Sequence, residues 1–172
     1  MINQTKQLGF HYYSDTDHYD EASLDYWLPK LLAVGTRWLV LSIIERAEIP
    51  ENFLKRMTAA GIEPIICPQF SISNPPQVDI FRERMSYYRK NGVHLVQFYN
   101  YPNMKSAWTP DEWKKQKLVE RFIELFSRYA QICIEQKIIP IFPLLQPGGD
   151  YWDISFLKES LHVLQQKKYE SI

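Results

Sequence analysis

Apolar runs of strand length alternate along this chain with runs whose apolar positions recur at three and four residues, the spacing of strands followed by one-faced helices. Five such units can be drawn. The first joins a strand at 8–13 to a helix whose Leu24, Trp27, Leu28, Leu31 and Leu32 share a face, with Pro29 placed to kink it. The second joins a strand at 38–43 to a helix that opens on Pro50 and buries Phe53, Leu54 and Met57. A strand at 64–70 and a helix carrying Phe81, Met85 and Tyr88 form the third. In the fourth, a strand at 94–99 leads through a loop to Thr109-Pro110-Asp111-Glu112, which predicts a capping box, and then to one or two helices ending near 136. The fifth is a strand at 138–145 and a helix with Phe156, Leu157, Leu161 and Leu164, after which a polar tail frays. Gly35, Gly61 and Gly92 each follow a helical run and precede a strand, the position where a left-handed residue closes a helix.

Strands that alternate with helices imply parallel neighbours joined by right-handed crossovers. Two architectures fit: an α/β, TIM-barrel-like arc of five consecutive units, that is, a partial barrel, or a doubly wound five-stranded sheet. A full eight-unit barrel takes about 250 residues, whereas the doubly wound sheet would be complete at this length. Either way the chain reads as one domain over 1–172, with ligands gathering at the carboxyl ends of the strands. That places the candidate site in the loops after His11-Tyr12, Ile43-Ile44, Pro68-Gln69, Tyr99-Asn100 and Leu145-Gln146.

Composition narrows the function classes. The 172 residues are 45% hydrophobic, enough for one buried core, and twenty basic residues balance twenty acidic ones. With no basic cluster interleaved with aromatics, nucleic acid is not an expected partner. A polar start and the absence of a run of about 20 apolar residues exclude a secretory segment and a membrane span, so a soluble, cytoplasmic protein is expected. Cys67 and Cys133 fall in different elements and read as reduced core thiols. His18, His94 and His162 are scattered, so neither a metal nor another cofactor is expected. Gly148-Gly149 lacks the Lys-Ser/Thr of a phosphate loop, and no G-x-S-x-G nucleophile motif occurs.

The fourth junction carries the most specific signal. Its strand ends in Val96-Gln97-Phe98-Tyr99-Asn100-Tyr101-Pro102-Asn103, with Ser106-Ala107-Trp108 beyond. This segment resembles the strand-four region of the barrel clan of retaining glycoside hydrolases, where Asn-Glu-Pro places the acid/base. The chain as a whole also resembles an uncharacterised family of bacterial barrel proteins, in Gly9-Phe10-His11-Tyr12 and in Pro147-Gly148-Gly149-Asp150-Tyr151-Trp152-Asp153. The resemblance implies a sugar contact for Asn100. It also implies the loss of the clan's chemistry, because Tyr101 stands where the glutamate would be and the chain stops before a seventh strand could supply the nucleophile. Retaining hydrolysis needs two carboxyl groups about 5 Å apart, and a phenol with a pKa near 10 is a poor proton donor in their place.

Candidate binding residues at the mouth are His11, Tyr12, Gln69, Asn100, Asn103, Trp108, Tyr151 and Trp152: amides for hydroxyl groups, aromatics for stacking on sugar rings or sealing the barrel mouth. Trp27 and Trp38 read instead as core. The carboxylates at strand ends, Asp15, Asp17, Glu45, Glu48, Asp150 and Asp153, read first as solvated or helix-capping groups. Should one of them act chemically, Asp150 is the first candidate, and a different enzyme could use Glu45 or Asp150 as base with Tyr101 as proton donor. The leading expectation is a carbohydrate-binding, glycoside-hydrolase-like partial barrel that lacks the clan's acid/base. The alternatives are an enzyme of another class and an assembly module, either a homo-oligomer or one pairing with a missing C-terminal barrel half through its open sheet edges.

Overall fold

Every strand pairing joins neighbours in sequence. In a computed structural model that describes residues 8–15, 17–44 and 47–166, strands β1 (Leu8–His11), β2 (Thr36–Ile44), β3 (Glu63–Gln69), β4 (Leu95–Gln97) and β5 (Ile139–Ile141) form one sheet in that order. All four pairings are parallel. A doubly wound sheet reverses its strand order partway across, and this one does not, which removes that alternative. Crossovers of one hand, which for parallel strands is the right hand, set each helix on the same side of such a sheet, and one strand phase packs with the helices in a single core. The fold is thus five consecutive units of a TIM-barrel-like arc.

The helices are α1 (Glu21–Ala33), α2 (Glu51–Ala59), α3 (Val78–Lys90), α4 (Pro110–Lys114), α5 (Leu118–Glu135) and α6 (Asp153–Gln166). Asp20 caps α1 by accepting from the Ser23 N–H at 2.6 Å. Pro29 neither ends nor interrupts that helix: it removes one bond, to the carbonyl of the exposed Asp25, which water can satisfy. At the ends of α1, α2 and α3 the three glycines adopt φ of 79°, 78° and 84°, the left-handed conformation that returns the chain to a strand. The capping box is only half made. Thr109 Oγ1 accepts from the Glu112 N–H at 3.3 Å, but the Thr109 N–H donates to Ser73 Oγ, and the Glu112 carboxylate turns to Lys115 and Arg121.

Alternation along the strands divides the sheet into two faces. Leu39, Leu41, Ile43, Ile66 and Val96 point toward the helices and pack with Leu24, Leu54, Met57, Met85 and Phe122 in one core. The opposite phase, Trp38, Val40, Ile65, Cys67, Leu95 and Gln97, forms the inner face. Trp27 and Trp38 are half-buried and do not belong to the core the sequence assigned them to. The Trp38 indole lies across Gly9, whose absent Cβ would sit 1.7 Å from Trp38 Nε1. Cys67 and Cys133 are free and buried, as expected. Strand β4 is short because the chain leaves the extended region at Tyr99, with φ of 62°, and β5 stops before Pro143, which has no N–H to extend the ladder. Among the described residues, no helix is long and apolar enough to cross a membrane.

Candidate ligand site at the carboxyl ends of the strands

Three amide side chains form a relay where β3 and β4 end. Gln97 Nε2 donates to Asn100 Oδ1 at 3.0 Å, and Asn100 Nδ2 donates to Gln69 Oε1 at 3.2 Å. Around this spine the contacts are longer: Asn100 Nδ2 lies 3.9 Å from Cys67 Sγ, and Gln69 Nε2 lies 3.4 Å from both the Cys67 carbonyl and its sulfur. Gln97 and Cys67 sit on the inner face by strand alternation, so the relay opens onto that face. Cys67 is 3% exposed, and burial pushes its thiol pKa up, keeping it a neutral neighbour of the amides. Gln69 and Asn100 were both expected at the site. Gln97 was missed, although one polar residue at the inward position of an otherwise apolar strand is a signal that alternation could have supplied.

Asn103 has a different task. It is fully buried, and its amide donates from Nδ2 to the carbonyls of Gln146 at 2.8 Å and Tyr151 at 3.1 Å while Oδ1 accepts from the Gln146 N–H at 2.9 Å. A backbone bond from the Tyr151 N–H to the Asn103 carbonyl, at 2.9 Å, completes the knot. Gly149 passes so close that a Cβ there would lie 2.4 Å from Asn103 Nδ2. The close approach that Gly149 allows is therefore to the protein's own asparagine. Tyr99 and Tyr101 both hold left-handed backbone conformations, at φ of 62° and 53°, and the Tyr101 N–H donates to the Leu144 carbonyl at 2.9 Å. Together these bonds fasten the loop after β4 to the loop after β5.

Most of the remaining candidates are bound up in the same structure. Trp108 is half-buried, donates from Nε1 to the Pro102 carbonyl at 2.8 Å, and packs edge-on against Phe122 with the Arg121 guanidinium over its ring. Tyr151 packs on Phe156 and donates its hydroxyl to Glu159 at 2.5 Å; that bond pushes its pKa up to about 12. Trp152 is the open one, 60% exposed. Asp150 accepts from the Lys105 N–H at 2.9 Å and sits 3.3 Å from Lys105 Nζ, which hold its carboxyl below the usual carboxylate range. It anchors the short turn Lys105–Ala107. His11 is exposed on the edge strand β1, while the Tyr12 hydroxyl donates to the His18 carbonyl at 3.1 Å. Tyr101 is 40% exposed at the mouth. Glu45 lies outside the described residues. No group of three or more metal-ligating side chains occurs among the described residues.

The fold and the placement of these loops define a partial barrel of the TIM type. No family model matches the sequence, and no curated protein is significantly similar to it. Solved structures are similar in fold. One is an L-ribulose 3-epimerase, with a TM-score of 0.58 and 13% identity over 94% of this chain and 63% of the other. A second is a D-allulose 3-epimerase from Methylomonas sp., at 0.58 and 11% over 89% of this chain and 58% of the other. A third, a sugar phosphate isomerase/epimerase from Parabacteroides distasonis, aligns at 0.53 and 13% over 92% of this chain and 63% of the other. The chain therefore spans about three-fifths of the length of these barrels. At 11–13% identity the likeness to these three, none of which is named a glycoside hydrolase, is one of fold.

Proposed function

We propose that this chain binds a small polyhydroxy ligand, a free sugar or short saccharide, at the carboxyl end of its inner sheet face through Gln69, Gln97 and Asn100. The amide relay is the observation that carries the reading. Amides present donors and acceptors side by side, which is what vicinal hydroxyls require, and the long outer contacts at 3.4 and 3.9 Å are the ones a hydroxyl could replace. Two further points favour a sugar: the resemblance at the fourth junction implies a sugar contact for Asn100, and the three structural neighbours bear the names of sugar-acting enzymes. Trp152 could stack on a ring from the rim. Neutral amides hold no proton to exchange near neutrality, so the relay supports recognition and not acid-base chemistry.

Titration calorimetry with a panel of aldoses, ketoses and short oligosaccharides tests this reading. At least one should bind, with binding weakened about tenfold or more by Asn100→Ala and by Gln69→Ala, each of which removes one to two hydrogen bonds. The reading fails if no sugar binds, or if both variants bind as the parent does.

A further inference from the structure

Strand β4 breaks the alternation that orders the rest of the sheet, and the break falls one residue before Asn100. Val96 faces the helices, and Gln97 faces the inner side. Phe98 returns to the helix side, stacked on Phe126 of α5 with ring centroids 5.2 Å apart. In an extended chain Tyr99 would come next on the inner side, and the Asn100 amide would turn into the aromatic core. The protein has the opposite arrangement. Tyr99 is 1% exposed and packs edge-on against Phe70 at 4.8 Å and against Phe122 and Tyr129 of α5 at 6.1 Å each. Two consecutive rings thus share the helix side, and Asn100 stands beside Gln97 on the inner side.

The exchange is made by the backbone of Tyr99, whose φ of 62° lies in the left-handed region. A bulky residue enters that region at a cost in free energy and stays only where its surroundings hold it. The phenol oxygen contributes no hold: it is buried and has no hydrogen-bond partner among the described residues. What remains is the ring, whose burial among Phe70, Phe98, Phe122 and Tyr129 would be lost if the chain went on extended. On the other side of Asn100, the Tyr101 N–H is fixed by the Leu144 carbonyl. Asn100 is therefore carried between two anchored residues.

We propose that Tyr99 is the positioning residue of the amide relay: its ring, seated in the aromatic core, holds the left-handed turn that brings Asn100 to Gln97 and Gln69. The value of that turn to a ligand rests on the sugar-binding reading, but its effect on Asn100 is measurable with no ligand present.

The side-chain amide protons of Gln97 and Asn100, followed by NMR, report the relay. In the parent, the Tyr99 ring should show nuclear Overhauser contacts to Phe122 and Tyr129, and the Asn100 amide to Gln69; their absence overturns the proposal before any variant is made. Tyr99→Phe removes only the unpartnered hydroxyl, so it should be at least as stable as the parent and keep both amide signals in place. Tyr99→Leu keeps an apolar side chain but gives up the ring contacts, and its Asn100 amide should move to the shifts of a solvated asparagine. Tyr99→Met takes its place if the leucine variant does not fold. Phe126→Leu is the control for general damage to the core, since it opens a gap beside Phe98, Phe122 and Phe142, and it should leave the relay signals where they are. Unmoved Asn100 signals in Tyr99→Leu, or signals displaced equally by Phe126→Leu or Tyr99→Phe, refute the positioning role. Calorimetry with the same panel of aldoses, ketoses and short oligosaccharides adds the binding arm. Affinity should weaken about tenfold in Tyr99→Leu and match the parent in Tyr99→Phe. If no sugar binds the parent, the sugar reading fails and the amide signals still decide the role of Tyr99. If a sugar binds the parent and Tyr99→Leu alike, the sugar reading stands and the positioning role fails.

Discussion

Replacing Asn103 tests whether the mouth loops are held by one buried amide. Asn103→Ala removes three side-chain hydrogen bonds that cross 43 to 48 residues of sequence. At about 0.5–1.5 kcal/mol each, and with water able to reach the exposed Gln146, the loss should be about 2–4 kcal/mol. For a chain of this size that lowers Tm by about 5–15 °C. Asn103→Asp is the sharper probe, because it preserves shape while setting a carboxylate oxygen against the carbonyls of Gln146 and Tyr151. It should be less stable than the alanine variant at neutral pH. The sign of its pH dependence follows from burial, which raises the pKa of the new acid above about 3.9 in the folded state. Below that value the acid is neutral in both states and the deficit is smallest. As pH rises toward the raised folded pKa the deficit grows, and above it the deficit is constant. Denaturant melts of the three proteins between acid and neutral pH would measure this. An aspartate variant as stable as the parent, or more stable than the alanine variant at neutral pH, would refute the assigned bonding.

Gly9→Ala should cost about 1–3 kcal/mol, because its Cβ collides with the Trp38 indole, and Trp38→Leu in the same chain should recover most of that loss in a thermal melt. Cys67 should react with a thiol reagent far more slowly in the folded protein than in denaturant at mildly alkaline pH, since burial both covers it and raises its pKa; equal rates would contradict the placement. The Asp150 carboxyl should titrate by NMR below 3.8, and its stabilising effect should be present above that value and vanish as pH falls through the folded pKa. Because the Lys105 backbone N–H is the largest single cause of that shift, Lys105→Ala should reduce the shift without abolishing it.

Local signals in the sequence were sufficient for the units and insufficient for their arrangement. Gly35, Gly61 and Gly92 announce helix ends because only the local backbone decides a left-handed closure. Strand order is different. A helix that covers a parallel sheet has the same one-sided pattern whether the next strand adds to the left or the right, so the singly wound order could not be read from periodicity. Gln69 and Asn100 were legible as candidates because they end strands, and the structure joins them by a hydrogen bond. Asn103, Trp108 and Tyr151 share that neighbourhood, yet their polar groups are taken up by the carbonyls of Gln146, Pro102 and Tyr151 and the carboxylate of Glu159. Composition cannot distinguish an amide that bonds to its neighbours at the strand ends from one bonded to backbone across forty residues. The same holds for Asp150, whose partner is the backbone of a turn.

The unbroken strand order has a consequence for how this protein comes to be folded. Each pairing closes only the loop between consecutive strands, one helix long except between β4 and β5, where the Lys105–Ala107 turn, α4 and α5 intervene, so no step must wait for a distant part of the chain. A chain emerging from the ribosome can lay each new strand onto a finished edge, growing from β1 toward β5 without rearranging what came before. Each strand thus becomes the template for the one that follows it, and the order of synthesis is also the order of the sheet.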